Sequence, residues 1–156
     1  MSAGKMIGAV LVVAVLVVAS IAMALNIPGM GKFTEIKANN GVVTIPVARV
    51  NDGKAHFFSI KVGAEDIKFF VVKAKDGSLK TAFDACEVCF EAKKGYEQEA
   101  DVMVCKKCNK KFATDKIGPA NIGGCNPAPV ASQIVNGNVV IKVEELAKGK
   151  KFFEEF

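Results

Sequence analysis

Hydrophobic and polar positions follow two different patterns along the chain. From Ile7 to Leu25 there are 19 residues without a charge, dominated by Val, Ala and Leu. Beyond residue 31 the apolar positions instead fall in short alternating runs rich in β-branched residues, at 32–37, 42–50, 54–62, 66–74 and 79–84. Asn39-Asn40-Gly41, Asn51-Asp52-Gly53 and Asp76-Gly77 separate them, and these residue types accept the positive φ of hairpin turns. The pattern predicts a β meander. A second hairpin is expected at 132–136 and 138–143 around Asn136-Gly137, followed by a helical turn or two over 143–148. Between them, Asp84 to Pro129 shows little periodicity and holds every Cys, so it reads as loop organised by something other than a core.

The uncharged opening segment is close to the ~20 residues a helix needs to cross a bilayer. It is expected to be an uncleaved anchor, residues 1–25, followed by a linker at 26–31 in which Pro28 stops a helix. A secretory signal is the alternative, because Ala22-Met23-Ala24 has the small-x-small form of a cleavage site. Both readings put a β-rich metal-binding domain, residues 32–149, on the extracytoplasmic side of the cell membrane. The tail 150–156 either stays loose or packs Phe152 and Phe153 on the sheet.

Composition supports one small β domain after the anchor: 11 Phe, one Tyr and no Trp, with enough chain for a single core. After the first 25 residues the charge is a mild excess of 20 basic over 16 acidic side chains. Arg49 is the only Arg, so the bidentate guanidinium contacts that favour nucleic acid are missing, and no nucleic-acid partner is expected. No paired catalytic carboxylates, Ser-His-Asp set or phosphate-binding glycine loop is present, which points to a carrier rather than an enzyme.

Chemistry concentrates in Cys86-Glu-Val-Cys89 and Cys105-Lys-Lys-Cys108, separated by 15 residues. Two residues between ligands let a tight turn aim both sulfurs one way, with backbone N–H groups stabilising their charge. Asn109 stands where such a turn wants positive φ. The spacing makes Cys86, Cys89, Cys105 and Cys108 metal-ligand candidates without choosing the metal. A zinc ribbon fits it equally, copper suits soft thiolates, and two disulfides suit an oxidising compartment.

The order of elements shifts the balance toward iron-sulfur, with a structural zinc module of a membrane complex or a copper- or iron-handling protein as the alternatives. Strands over Ile67 to Phe83 run into the first Cys loop, a strand over Asp101 to Val104 runs into the second, and Phe112 and a loop ending Gly123-Gly-Cys-Asn-Pro-Ala-Pro129 follow. That order resembles the Rieske-like fold, in which two hairpin loops carry a two-iron cluster and a later Pro loop shields it. Rieske loops each pair a Cys with a His, whereas both His positions are Cys here, which makes the cluster more negative and lowers its potential. Phe69-Phe-Val-Val, Ala82-Phe-Asp-Ala-Cys-Glu-Val-Cys89, Lys94-Gly-Tyr-Glu-Gln, Met103-Val-Cys-Lys-Lys-Cys108 and Gly123-Gly-Cys-Asn-Pro127 are together similar to the FtrD-like family of membrane iron-sulfur proteins. The resemblance implies a [2Fe–2S] cluster on the four cysteines and a role in electron transfer at a membrane, with a redox partner protein. Family members often carry several membrane spans, whereas this chain has one such segment, so no transport role is carried over.

Other residues are weighed against that centre. Cys125 and His56 are candidates for an additional ligand or for shielding, the bland readings being a buried free thiol and a half-exposed strand histidine. Tyr96, Asn126 and Pro127 are candidates for the surroundings of the cluster, with the Tyr96 hydroxyl as a donor to a cluster sulfur or an ordinary packing group. Lys93, Lys94, Lys106, Lys107, Lys110 and Lys111 either offset cluster charge and attract an acidic partner or form a solvated surface.

Overall fold

Apolar side chains on both faces of one strand organise the molecule, which a computed structural model describes from Gly31 to Glu154. Ten short strands are present: β1 (Thr34–Glu35), β2 (Val42–Pro46), β3 (His56–Val62), β4 (Glu65–Lys73), β5 (Leu79–Phe83), β6 (Tyr96–Glu99), β7 (Val102–Cys105), β8 (Lys111–Ala113), β9 (Gln133–Val135) and β10 (Asn138–Lys142). They form three sheets in the orders β1-β3-β4-β5, β2-β10-β9 and β6-β7-β8. The mainly β expectation therefore holds.

Asn-Gly turns set the hairpin registers. Asn136 and Gly137 have φ of 48° and 73°, and Val135 pairs with Asn138 directly across them. Both central residues at positive φ give the turn whose twist matches that of the flanking strands. Asn40 and Gly41 repeat the arrangement, with Asn39 bridged to Val42.

The meander expectation holds for β3-β4-β5, which pair antiparallel in sequence order, and fails before them. β1 lies parallel to β3, and β2 leaves to pair with β10 from the far end of the chain. The reason is burial. Val43 and Ile45 of β2 are about as buried as Val139 and Ile141 of β10, and all four share a core with Phe58, Ile60, Ile67, Phe69 and Val71. The run expected as a strand to residue 50 stops at Pro46, and Val47–Arg49 makes a 3-10 turn.

Side chains of successive strand residues point to opposite faces. Ile67, Phe69 and Val71 of β4 accordingly enter that first core, while Phe70 and Val72 enter a second one. The second core contains Tyr96, Met103 and Ile117. The stretch from Asp84 to Pro129 is thus not bare loop: it contains the β6-β7-β8 sheet and encloses apolar side chains. Its periodicity is weak because these strands have only three or four residues each.

The expected helical turn forms at Val143–Ala147, and Phe152 packs back on the fold beside Phe83 and Phe90. No helix among the described residues is long and apolar enough to cross a membrane. Residues 1–25, read as an anchor, and all of the linker 26–31 except Gly31 lie outside the described residues.

Candidate metal centre

Three connections meet above the second core. The first follows β5 and carries Cys86 and Cys89; the second follows β7 and carries Cys105 and Cys108; the third, 118–129, carries Cys125. Cys86, Cys105 and Cys125 are buried, Cys89 is half-buried and Cys108 is exposed.

Local backbone rules place each sulfur. Cys89 precedes the 3-10 turn Phe90–Ala92, which ends on Lys93 at φ 52°, and its N–H donates to Cys86 Sγ at 3.2 Å. That bond supplies the partial positive charge a thiolate needs. Cys105 closes β7 opposite Tyr96, its N–H donating to the Lys110 carbonyl, and the turn after it reverses at Asn109 with φ 57°. The left-handed residue expected at Asn109 is present. The Cys125 connection is sewn to the first: Phe83 N–H donates to Ala128 O, and Ala128 N–H to Ala85 O.

A buried carboxylate ties the first connection shut. Asp84 accepts the Tyr96 N–H at 2.7 Å and Lys32 Nζ at 2.5 Å, and Lys32 also donates to Tyr96 O. Burial pushes the Asp84 carboxyl up from its usual range, with the Lys32 ammonium working against it. A side chain on Gly95, at φ 63°, would overlap that carboxylate, so only glycine lets the chain pass. Lys32 carried no motif that singled it out, and Gly95 stood only inside the Lys94-Gly-Tyr-Glu-Gln segment, since Asp84 meets both only after the chain has folded.

The sulfurs fall into two overlapping groups. Those of Cys86, Cys89 and Cys125 lie within 4.8 Å of one another, as do those of Cys89, Cys105 and Cys108. Cys89 belongs to both, and its Sγ is 3.6 Å from Cys125 Sγ. An all-thiolate donor set of this density, with a backbone N–H already aimed at one sulfur, suits a soft metal or an iron-sulfur cluster.

Protonation differs sharply within the set. Burial pushes the Cys89 and Cys125 thiols up. Cys108 goes the other way: the Lys110 N–H beside its sulfur brings it down from 9.0 to about 7. Alkylation depends on the thiolate fraction, which below the pKa falls tenfold per pH unit. In metal-free protein, Cys108 is therefore expected to react first with iodoacetamide, its rate half-maximal near pH 7. Peptide mass spectrometry against pH checks this; a midpoint at or above 9 contradicts the placement of that N–H.

The remaining candidates divide. The Tyr96 hydroxyl donates to the Cys125 carbonyl at 2.5 Å. Burial, and then the Cys86 sulfur beside it, keep this hydroxyl protonated. Asn126 donates to the Asn121 carbonyl, and the buried Pro127 directly follows it. His56 is elsewhere: its Nε2 lies 2.7 Å from Asp52 Oδ1, and it belongs to neither thiol group. Of the lysines, Lys106 pairs with Glu97, Lys111 with Glu99, and Lys93 donates to the Phe152 and Glu154 carbonyls. A cavity of about 800 Å³ opens beside the centre, with Lys32, Lys107, Cys86, Cys89, Cys105 and Tyr96 in its wall.

Residues 50–153 match the family described as FtrD-like, membrane iron-sulfur containing protein FtrD-like. No curated protein matches the chain. Among solved structures, the quaternary ammonium Rieske monooxygenase CntA is similar at 16% identity and a TM-score of 0.44, covering 66% of this chain and 31% of its own. The oxygenase of carbazole 1,9a-dioxygenase, in complex with ferredoxin, is similar at 18% and 0.41, covering 67% and 28%. The chain spans under a third of the length of either.

Proposed function

Because the chain belongs to the FtrD-like family of membrane iron-sulfur proteins, we propose that it is a single-electron carrier whose cluster, a [2Fe–2S] centre, is held by Cys86, Cys89, Cys105 and Cys108. The observation that supports this reading is that the sulfurs of Cys89, Cys105 and Cys108 lie in one close group, and Cys86 joins Cys89 in a second that also holds Cys125. Bound there, a two-iron cluster supplies a one-electron couple, at a potential lowered by thiolates standing where Rieske loops have histidine.

The chain's own residues do the rest. Cys86 and Cys105, both buried, form the inner pair, and Cys89 and the exposed Cys108 the outer pair. The Cys89 N–H stabilises charge on Cys86, and Asp84 with Lys32 holds the first loop against β6. The Cys125 connection, fastened by the Tyr96 hydroxyl, covers one side and limits water. No substrate has to be bound or activated for this role, so the protein is proposed to be no catalyst by itself.

Electrons leave through the outer face. Val88, between the two cysteines of the first loop, and Ile122, in the Cys125 connection, are each 64% exposed and are the apolar contacts proposed for a partner. Lys107 and Lys110 lie on the second loop, so the partner is proposed to be a redox protein with an acidic rim. Residues 1–25 are proposed as a single-pass anchor, with 32–149 on the extracytoplasmic side.

Absorption and electron paramagnetic resonance on protein purified without oxygen test the reading. The expected result is a brown protein with about two irons and two sulfides per chain, reducible by one electron. A colourless protein with one tightly held zinc overturns it in favour of a structural site.

A further inference from the structure

Cys125 is the thiol that the four-ligand reading leaves over, and it lies against one of the four. Its Sγ is 3.6 Å from Cys89 Sγ, van der Waals contact for two sulfurs. A disulfide measures about 2.05 Å, so the pair has about 1.5 Å to close. Neither sulfur is drifting. The Cys125 carbonyl is held by the Tyr96 hydroxyl, its connection is bonded to the backbone at Phe83 and Ala85, and Cys89 sits at the head of a 3-10 turn. Cys89 Sγ also has the sulfurs of Cys86, Cys105 and Cys108 within 4.8 Å, and the contact that singles out Cys125 is its 3.6 Å approach.

We propose that Cys89 and Cys125 form a reversible disulfide when the site is empty, with low-molecular-weight disulfides as the oxidant. Of the two, Cys89, half-buried on the cavity wall, is the one the oxidant reaches, Cys125 being buried. Its sulfur bonds to one oxidant sulfur as the oxidant's S–S bond breaks, and the departing thiolate takes up the proton that Cys89 gives up. The buried Cys125 then attacks this mixed disulfide through its own sulfur, and the second small thiol leaves with the Cys125 proton. Two cysteines are oxidised and one oxidant disulfide is reduced to two thiols. The bond removes Cys89, the sulfur common to both groups, so a centre cannot be built until a reductant reopens it. Only this last consequence rests on the four-cysteine reading.

The test uses the full chain, stripped of metal and treated with oxidised glutathione in the absence of oxygen. Peptide mass spectrometry is expected to find Cys89 joined to Cys125, with the buried Cys86 and Cys105 still free thiols and any retained glutathione on the exposed Cys108. In Cys125→Ser, glutathione is expected to stay on Cys89 for want of a resolving thiol. A dominant link between Cys86 and Cys89 or between Cys105 and Cys108, in either protein, overturns the proposal, as does glutathione retained on Cys89 in the unaltered chain. Iron and sulfide loading before and after reduction is measured separately. A disulfide with no cluster on reduction refutes the electron-carrier reading alone, and a cluster with no such disulfide refutes this inference alone.

Discussion

Exchanging Cys86 for serine is expected to strip the protein of its metal centre while leaving the fold in place. Cys86 is 1% exposed at the floor of the site, and serine at nearly the same volume offers a hydroxyl that stays protonated at neutral pH where the cluster needs a thiolate. Groups that merely orient a ligand typically cost 10–100-fold in metal affinity, so loss of a ligand is expected to exceed about 100-fold. Cys105→Ser, equally buried, is expected to match it, whereas Cys125→Ser is expected to retain most of its iron. Iron and sulfide per chain, with circular dichroism as the check on folding, decide the matter. If Cys125→Ser empties the site and Cys108→Ser does not, the ligand set is misassigned and Cys125 takes the place of Cys108.

Truncating Phe70 to alanine is expected to give the largest loss of stability, about 3–5 kcal/mol, the usual cost of a Phe-to-Ala cavity. Phe70 is fully buried on the face of β4 that looks toward the cysteines, with ring centroids 5.6 Å from Phe57 and 6.4 Å from Tyr96. Its core cluster also contains Cys86, Cys105 and Cys125. The cavity therefore opens directly under the thiols, and metal retention should fall together with stability. With a urea slope of about 1–3 kcal/mol per molar, the unfolding midpoint moves down by more than about 1 M. A shift no larger than that of an exposed substitution such as Val88→Ala contradicts the two-core arrangement.

How far the chain could be read before folding depends on the range over which each feature is decided. The C-x-x-C pairs, the Asn-Gly turns and the left-handed Asn109 are local, because a tight turn needs particular residues within three or four positions. The run Phe69-Phe-Val-Val was readable as strand but not as a strand buried on two faces, since a continuous apolar run says nothing of what covers it. β2 was misplaced for the same kind of reason: its turn with Asn40-Gly41 suits a hairpin, and only competition for a shared core sends Val43 and Ile45 to β10.

The site divides along the same line. Residue type and spacing alone determined that four thiols stand in two ligand-like pairs, that a fifth follows in a glycine and proline loop, and that the folded part is mainly β. Tertiary structure alone decided that Asp84 is clamped between Lys32 and Tyr96, and that Cys125 comes to rest on Cys89. These contacts join residues up to 52 positions apart or bring separate connections together. Their geometry is set by which apolar faces are buried together, and that quantity belongs to the whole chain rather than to any segment of it.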